Sequence, residues 1–199
     1  NDKKDPFVVE IGSNDGIMLQ NFAIDKIPCL GIEPSKNVAK AARDKGIEVI
    51  TEFFDQPLAE NIITTYQKAD AILSANVMCH IPYMHSIYDG VKELLKDDGV
   101  FIFEDPYLGE VIEKTSFDQI YDEHVFLFSA LSVSHLADMH DLELIGVEYQ
   151  ITHGGSMRYT IAHKGAKRIS ESVSNLIAKE KKMGLDSPEA YSNFANDVD

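Results

Sequence analysis

Four consecutive residues, Tyr121-Asp122-Glu123-His124, place a phenol beside three ionisable groups. General acid–base catalysis needs a group that titrates near neutrality, and His124 with Glu123 or Asp122 to orient it meets that need. The competing reading is a solvated turn of caps and exposed charge. A second histidine, His80, lies in Ser74-Ala75-Asn76-Val77-Met78-Cys79-His80-Ile81-Pro82, either as a satisfied turn histidine or as a substrate contact. In His153-Gly154-Gly155-Ser156-Met157-Arg158 the glycines make a turn whatever the function, while Ser156 and Arg158 offer a hydroxyl and a guanidinium to a substrate anion or carbonyl. The fourth stretch, Val8-Val9-Glu10-Ile11-Gly12-Ser13-Asn14-Asp15-Gly16, brackets small polar residues with glycines. Glycines there let the backbone adopt positive φ and pass close to a ligand, and a following helix supplies free N–H groups. No metal site is expected: His135 and His140 are a poor facing pair on a helix, and Cys29 and Cys79 fall in different elements.

The elements that must position these residues alternate. Val8 to Gly12 reads as a doubly buried strand, and Gly16 with Ile17, Met18, Leu19 and Phe22 as the start of a helix. Pro28 to Glu33 is a second strand. Ser35 caps a helix that buries Val38, Ala41 and Ala42 and stops at Gly46. Ile47, Val49 and Ile50 make a third strand, and Pro57 opens a helix over Leu58 to Tyr66 that buries Ile62, Ile63 and Tyr66. Ala69 to Ala75 is the fourth strand. Met84, Ile87, Val91, Leu94 and Leu95 recur at helical spacing, and Asp97-Asp98-Gly99 breaks the chain before a fifth strand, Val100 to Glu104. Such alternation predicts an α/β fold with a parallel sheet covered by helices, its ligands at the carboxyl ends of the strands. The pattern then changes to a capped helix, Ser129 to His140, and two alternating strands, Leu142 to Tyr149 and Ser156 to His163, joined by a short loop and so paired antiparallel. From Lys164 the chain turns polar and predicts one helix through Ile169, Val173, Leu176, Ile177 and Met183. A second follows Ser187-Pro188 to the end.

The 199 residues, 44% of them hydrophobic, suit one domain of ordinary size. Residues 1–7 are polar rather than a signal peptide, and no apolar run reaches the roughly 20 residues of a membrane span. The chain reads as a cytoplasmic protein with reduced thiols and no membrane partner. A net charge of −15 argues against nucleic acid as the partner, since phosphate backbones are held by clustered Lys and Arg. It also leaves an anionic substrate in need of local basic residues or another domain.

The turn Glu10-Ile11-Gly12-Ser13-Asn14-Asp15-Gly16 is neither the Gly-x-Gly-x-x-Gly dinucleotide fingerprint nor a P-loop. It resembles the first motif of class I S-adenosylmethionine-dependent methyltransferases. With Asn76 to Pro82, Tyr121 to His124 and His153 to Arg158 in order over residues 8 to 163, the chain resembles the sugar C-methyltransferase family. The resemblance implies a Rossmann-like, seven-stranded, mostly parallel sheet with an antiparallel last strand and helices on both faces. It implies S-adenosylmethionine as cofactor, held by Glu10, Gly12, Asn14, Asp15 and Gly16. Glu33 would accept from the ribose diol, Phe54 would lie against the adenine, and Asn76 would lie near the methionyl ammonium; Asp15 and Phe54 also have plain readings, as helix cap and core filler. His124 would remove the C3 proton beside the C4 ketone of a nucleotide-linked deoxysugar, with Tyr121, Glu123 and His80 around the sugar and Ser156 and Arg158 as further substrate contacts. Residues 1–165 would be the methyltransferase core and 166–199 a helical connecting segment; the family's four-cysteine zinc domain and second α/β domain are not in this sequence. Asp122 and Leu127 depart from the expected pattern and leave the sugar open. A small-molecule O- or N-methyltransferase and a non-catalytic cofactor-binding module are the rival readings; the glycine spacing disfavours a nicotinamide-dependent oxidoreductase.

Overall fold

Apolar runs bounded by turn residues become the strands of one sheet. The computed structural model describes residues 6–198, so the first five residues of the polar stretch 1–7 lie outside it. β1 (Val8–Ile11), β2 (Cys29–Ile32), β3 (Glu48–Ile50), β4 (Ala69–Ala75), β5 (Leu95–Pro106), β6 (Leu142–Gln150) and β7 (Ser156–His163) form a seven-stranded sheet in the order β3-β2-β1-β4-β5-β7-β6. β7 runs antiparallel to both neighbours, and the other pairings are parallel. The expected architecture is therefore present. The order of strands reverses between β1 and β4, so their carboxyl ends open onto the crevice where such sheets bind ligands.

Side chains alternate across β1 and split the core in two. Val9 and Ile11 enter a large cluster with α3 (Gln56–Thr65), α4 (Met84–Leu94) and α6 (Ala130–Met139). Val8 faces α1 (Leu19–Ile24) and α2 (Lys36–Asp44), through Leu19, Ala39 and Ala42. Ala39, not Ala41, completes the buried stripe of α2, because residues three apart share a face. Ser35 stands at the N-cap of α2, but its hydroxyl bonds Asn37 and no cap bond forms. At α6 the expected cap is complete, with a reciprocal Ser129–Ser132 capping box.

Two features were not anticipated. Asp97-Asp98-Gly99 does not end the chain's path along the sheet: Leu95 pairs with Ala69 and Val100 with Ala71, so the intervening residues bulge within β5. α5 (Leu108–Lys114) also forms, in a stretch for which the sequence pattern predicts no element. Beyond the sheet, α7 (Glu171–Lys182) and α8 (Pro188–Val198) follow the predicted spans. α7 buries Val173 and, against the usual rule for charged residues, Glu180 at 0% exposure. Glu180 accepts from Tyr107 Oη (3.0 Å), from the Ala130 amide (2.8 Å) and from the Leu131 amide (2.8 Å), so a carboxylate from α7 satisfies the open donors at the start of α6. Among the described residues no helix is long and apolar enough to cross a membrane.

Removing Glu180 leaves a buried hydroxyl and two helix-start amides without their acceptor. E180A is expected to lower stability by about 3 kcal/mol in urea unfolding, and E180Q, which keeps the shape and one acceptor oxygen, by less.

Candidate functional site

The chain leaves β1 into a space with no room for a side chain. Gly12 has φ of +70°, and a Cβ there would sit 2.4 Å from Val77 Cγ2. Its amide and that of Ser13 donate to the Ile32 carbonyl at 2.8 and 3.1 Å, fastening the turn to the end of β2. Gly16 closes the turn at φ +78°, its amide donating to the Ser13 carbonyl. Asn14, at φ +51°, donates its amide to Glu33 Oε2 (3.1 Å), while Glu33 Oε1 accepts from the Ser35 amide (2.8 Å). Each of those oxygens keeps acceptor capacity for a ligand hydroxyl. Asp15 pairs with Lys45 Nζ at 2.7 Å, which holds its carboxyl below the usual range. It does not cap α1, whose cap position is Met18. Glu10 is 4% exposed, one of its oxygens lacks a partner, and burial pushes its carboxyl up to about 8.

Beside this turn lies a cleft of ≈ 190 Å³ walled by Gly12, Ile32, Phe53, Phe54, Val77 and Tyr83 among others. Phe54 is both core and wall at 2% exposure, whereas Phe53, the neighbour not chosen from the sequence, presents an open ring. Asn76 turns the chain off β4 at φ +54°, its amide donating to the Glu104 carbonyl at 2.8 Å. Pro82 and Tyr83 are shared with a second apolar cavity of ≈ 610 Å³ whose far side is Phe126, Leu127 and Phe128.

The two candidate histidines, far apart in sequence, meet at the mouth of the cleft with ring centroids 5.1 Å apart. His80 Nδ1 lies 2.6 Å from the Glu123 carbonyl, and His124 Nδ1 lies 2.9 Å from the Gln119 carbonyl. A carbonyl only accepts, so both Nδ1 atoms carry hydrogen and both Nε2 atoms hold lone pairs when the rings are neutral. His124 Nε2 accepts from Tyr121 Oη at 2.7 Å. The orienting group is thus a backbone carbonyl, not the carboxylate of Glu123 or Asp122 that the sequence reading assigned. Both of those residues are exposed, and Glu123 contributes its main chain instead.

Ser156 and Arg158 make their contacts inside the fold. The buried Ser156 hydroxyl donates to the Thr152 carbonyl (3.1 Å), and Arg158 is bound by Glu104 at 2.9 Å and Glu148 at 3.2 Å. Two neighbours of the histidines are not among the candidate residues of the sequence, where Cys79 is set aside as a thiol in a different element from Cys29. Cys79 is buried, and its thiol lies with one ring nitrogen of each histidine in a group spanning no more than 4.8 Å. Asp105, at the end of β5, is fully buried, and neither oxygen has a hydrogen-bond partner of ordinary length. Burial pushes its carboxyl up to about 7, against the pull of the Cys79 thiol and nearby amides.

Comparison with known proteins gives the family and the fold. Residues 1–147 match the family model described as a methyltransferase domain, and residues 151–199 match the C-methyltransferase C-terminal domain. C-methyltransferase NovU of Streptomyces niveus is 34% identical over 94% of this chain, which spans 45% of that relative's length. Among solved structures, an SAM-dependent methyltransferase from Anabaena variabilis superposes with a TM-score of 0.61 at 15% identity, covering 80% of this chain and 77% of that one. The plantazolicin methyltransferase BpumL in complex with SAH gives 0.60 at 11% identity, over 81% and 77%. At these identities the two structures attest the fold.

The buried Glu10 makes stability depend on pH. Its carboxyl titrates near 4.5 when unfolded and about 8 when folded, so the folded chain binds the proton more tightly. The resulting stability is complete below the unfolded value and is lost as pH rises through 8. E10Q is expected to flatten that decline and to exceed the parent by up to roughly 4 kcal/mol above pH 8, measured by urea unfolding across pH 5 to about 9.

Proposed function

Because the chain belongs to the methyltransferase-domain family and carries its S-adenosylmethionine-dependent class I fold, we propose that it is the core of a C-methyltransferase that deprotonates its acceptor with His124 before carbon is methylated. The acceptor proposed is a nucleotide-linked 4-keto-deoxysugar, methylated at C3. The observation that carries the reading is the fixing of His124 at both ring nitrogens, Nδ1 at 2.9 Å from the Gln119 carbonyl and Nε2 at 2.7 Å from the Tyr121 hydroxyl.

The residues at the end of β1 fit the cofactor. The Gly12 turn leaves space that no Cβ could share, Glu33 retains acceptor capacity for a diol, and Phe53 and Phe54 wall an apolar slot sized for a purine. Asn14, Asp15, Gly16 and Asn76 frame the same edge, and the buried, unpartnered oxygen of Glu10 lies beneath it. S-adenosylmethionine, when bound, supplies a methyl group already activated on a sulfonium.

The chain's own residues supply the rest. Tyr121 turns its O–H from His124 to the acceptor's ketone oxygen, which frees Nε2. Nε2 takes the proton from the adjacent carbon as the C–H electron pair moves into the enolate. Tyr121 donates to the developing oxyanion, with His80 beside it at the same mouth. Residues that hold the acceptor carbon facing the cofactor edge would supply much of the remaining rate enhancement. Glu123 shapes the site through its carbonyl on His80. The exposed acids Asp122 and Glu123 border the open face here, so the acceptor's diphosphate calls for basic groups from elsewhere in a longer protein. Ser156 and Arg158 act on substrate only if their internal contacts open.

Deuterium exchange at sugar C3 in heavy water, without cofactor, tests the reading in the full-length protein. H124A should slow exchange by about a hundredfold to ten-thousandfold while S-adenosylhomocysteine still binds in a calorimeter. Exchange that survives H124A, or methylation of oxygen or nitrogen without exchange, would overturn it. No binding of S-adenosylhomocysteine at about millimolar ligand would overturn the cofactor assignment.

A further inference from the structure

We propose that Cys79 and the two histidines His80 and His124 form a three-ligand site for a borderline-soft divalent cation of the zinc class. One donor atom from each lies within 4.8 Å of the others. Sulfur and imidazole nitrogen are the donors such ions select, at about 2.3 and 2.0 Å. Tetrahedral ligand atoms at those bond lengths are about 3.5 Å apart, so loading the site draws the donors together by about an ångström. The exposed ring of His80 has the freedom to do so.

Two further observations point to a cation. Both rings already donate Nδ1–H to a main-chain carbonyl, Glu123 for His80 and Gln119 for His124. That is the support zinc-ligating histidines ordinarily have, fixing the tautomer that leaves Nε2 open to the metal. Under the site lies Asp105, fully buried and without a hydrogen-bond partner of ordinary length. A divalent ion bound at Cys79 gives the buried Asp105 carboxyl, whose oxygens lack a partner of ordinary length, a cation to face. The Cys79 proton leaves to solvent as the metal–sulfur bond forms, and the Tyr121 hydroxyl gives up His124 Nε2. Three protein donors leave a fourth position for water.

The site consumes the lone pair that the proposed base uses, so the ion is an inhibitor; this part rests on the reading above. Cobalt(II) added to the chain under thiol-free reducing conditions should give a thiolate-to-cobalt charge-transfer band that zinc abolishes by displacement. The band should persist in C29S, which removes the other free cysteine, and vanish in C79S. D105N should weaken zinc binding about tenfold or more with S-adenosylhomocysteine affinity unchanged. If C79S does not fold, H80Q, at an exposed position, decides by the same tenfold criterion. Absence of the band, its survival in C79S, its loss in C29S, or unchanged affinity in H80Q would each overturn the site. In the full-length protein zinc should stop deuterium exchange and a chelator restore it; exchange that continues at saturating zinc overturns the inhibition. If exchange is absent before any metal is added, the catalytic reading fails, while the cobalt band still decides this one.

Discussion

The structure depends on a shortage of space at the carboxyl end of β1. The turn after Ile11 must pass Val77 on one side and fold over β2 on the other, and a methyl group at Gly12 would come within 2.4 Å of Val77. β2 gives way in the same manner: a Cβ on Gly31 would meet Ser13 Oγ at 2.4 Å. The turn packs this closely against β2 and the chain leaving β4 because these positions lack side chains. The close approach brings Asn14 onto Glu33 and sets the chain leaving β4, with Asn76 at positive φ, against the same cleft. The ligand edge is therefore a result of packing, and the polar residues on it are those that tolerate left-handed backbone.

That constraint was readable, because glycines and strand periodicity record it directly. The seven strands and the Ser129 cap follow from local residue type, whereas the place of Glu33 at the ligand edge comes from the resemblance to the methyltransferase motif. What escaped depends on partners that residue type does not encode. A histidine beside two carboxylates invites the reading that a carboxylate orients it, yet the acceptor is the Gln119 carbonyl, available at any residue. Asp105 precedes a proline at a strand end and gives no sign of its burial until β7 covers β5. The bulge at Asp97-Asp98-Gly99 escaped because residues that break a chain also serve an interruption within a strand. Ala39 and Ala41 are the same residue type, and only the phase of α2 against Val8 separates them.

Two kinds of carboxylate stand in and around the sheet. Glu33 and Glu180 are each held by two main-chain amides, and Glu104 faces Arg158, so their charge is compensated within the protein. Glu10 and Asp105 are buried, with oxygens lacking partners, and burial raises both. Both belong to strands whose carboxyl ends open on the crevice. Desolvated carboxyls without partners disfavour the unliganded ionised state, so a cation or donor reaching that edge is favoured beyond its direct contacts.

The loop carrying His124 is held from a distance. At its far end the Phe126 amide donates to the Cys79 carbonyl at 3.1 Å, and the Leu108 amide donates to the Phe128 carbonyl at 2.9 Å. The neighbouring residue Tyr107 bridges to Phe128 and gives its hydroxyl to Glu180, which also anchors the first amides of α6 directly after the loop. A single carboxylate on α7 thus fixes both the strand exit at Tyr107 and the helix start at Ala130, between which the Tyr121–His124 segment is strung. The tautomer of His124 depends on Gln119 being where it is, and that position is set by the span those two anchors define. Helix α7, remote in sequence from the glycine turn, is in this sense part of what poises the proposed base.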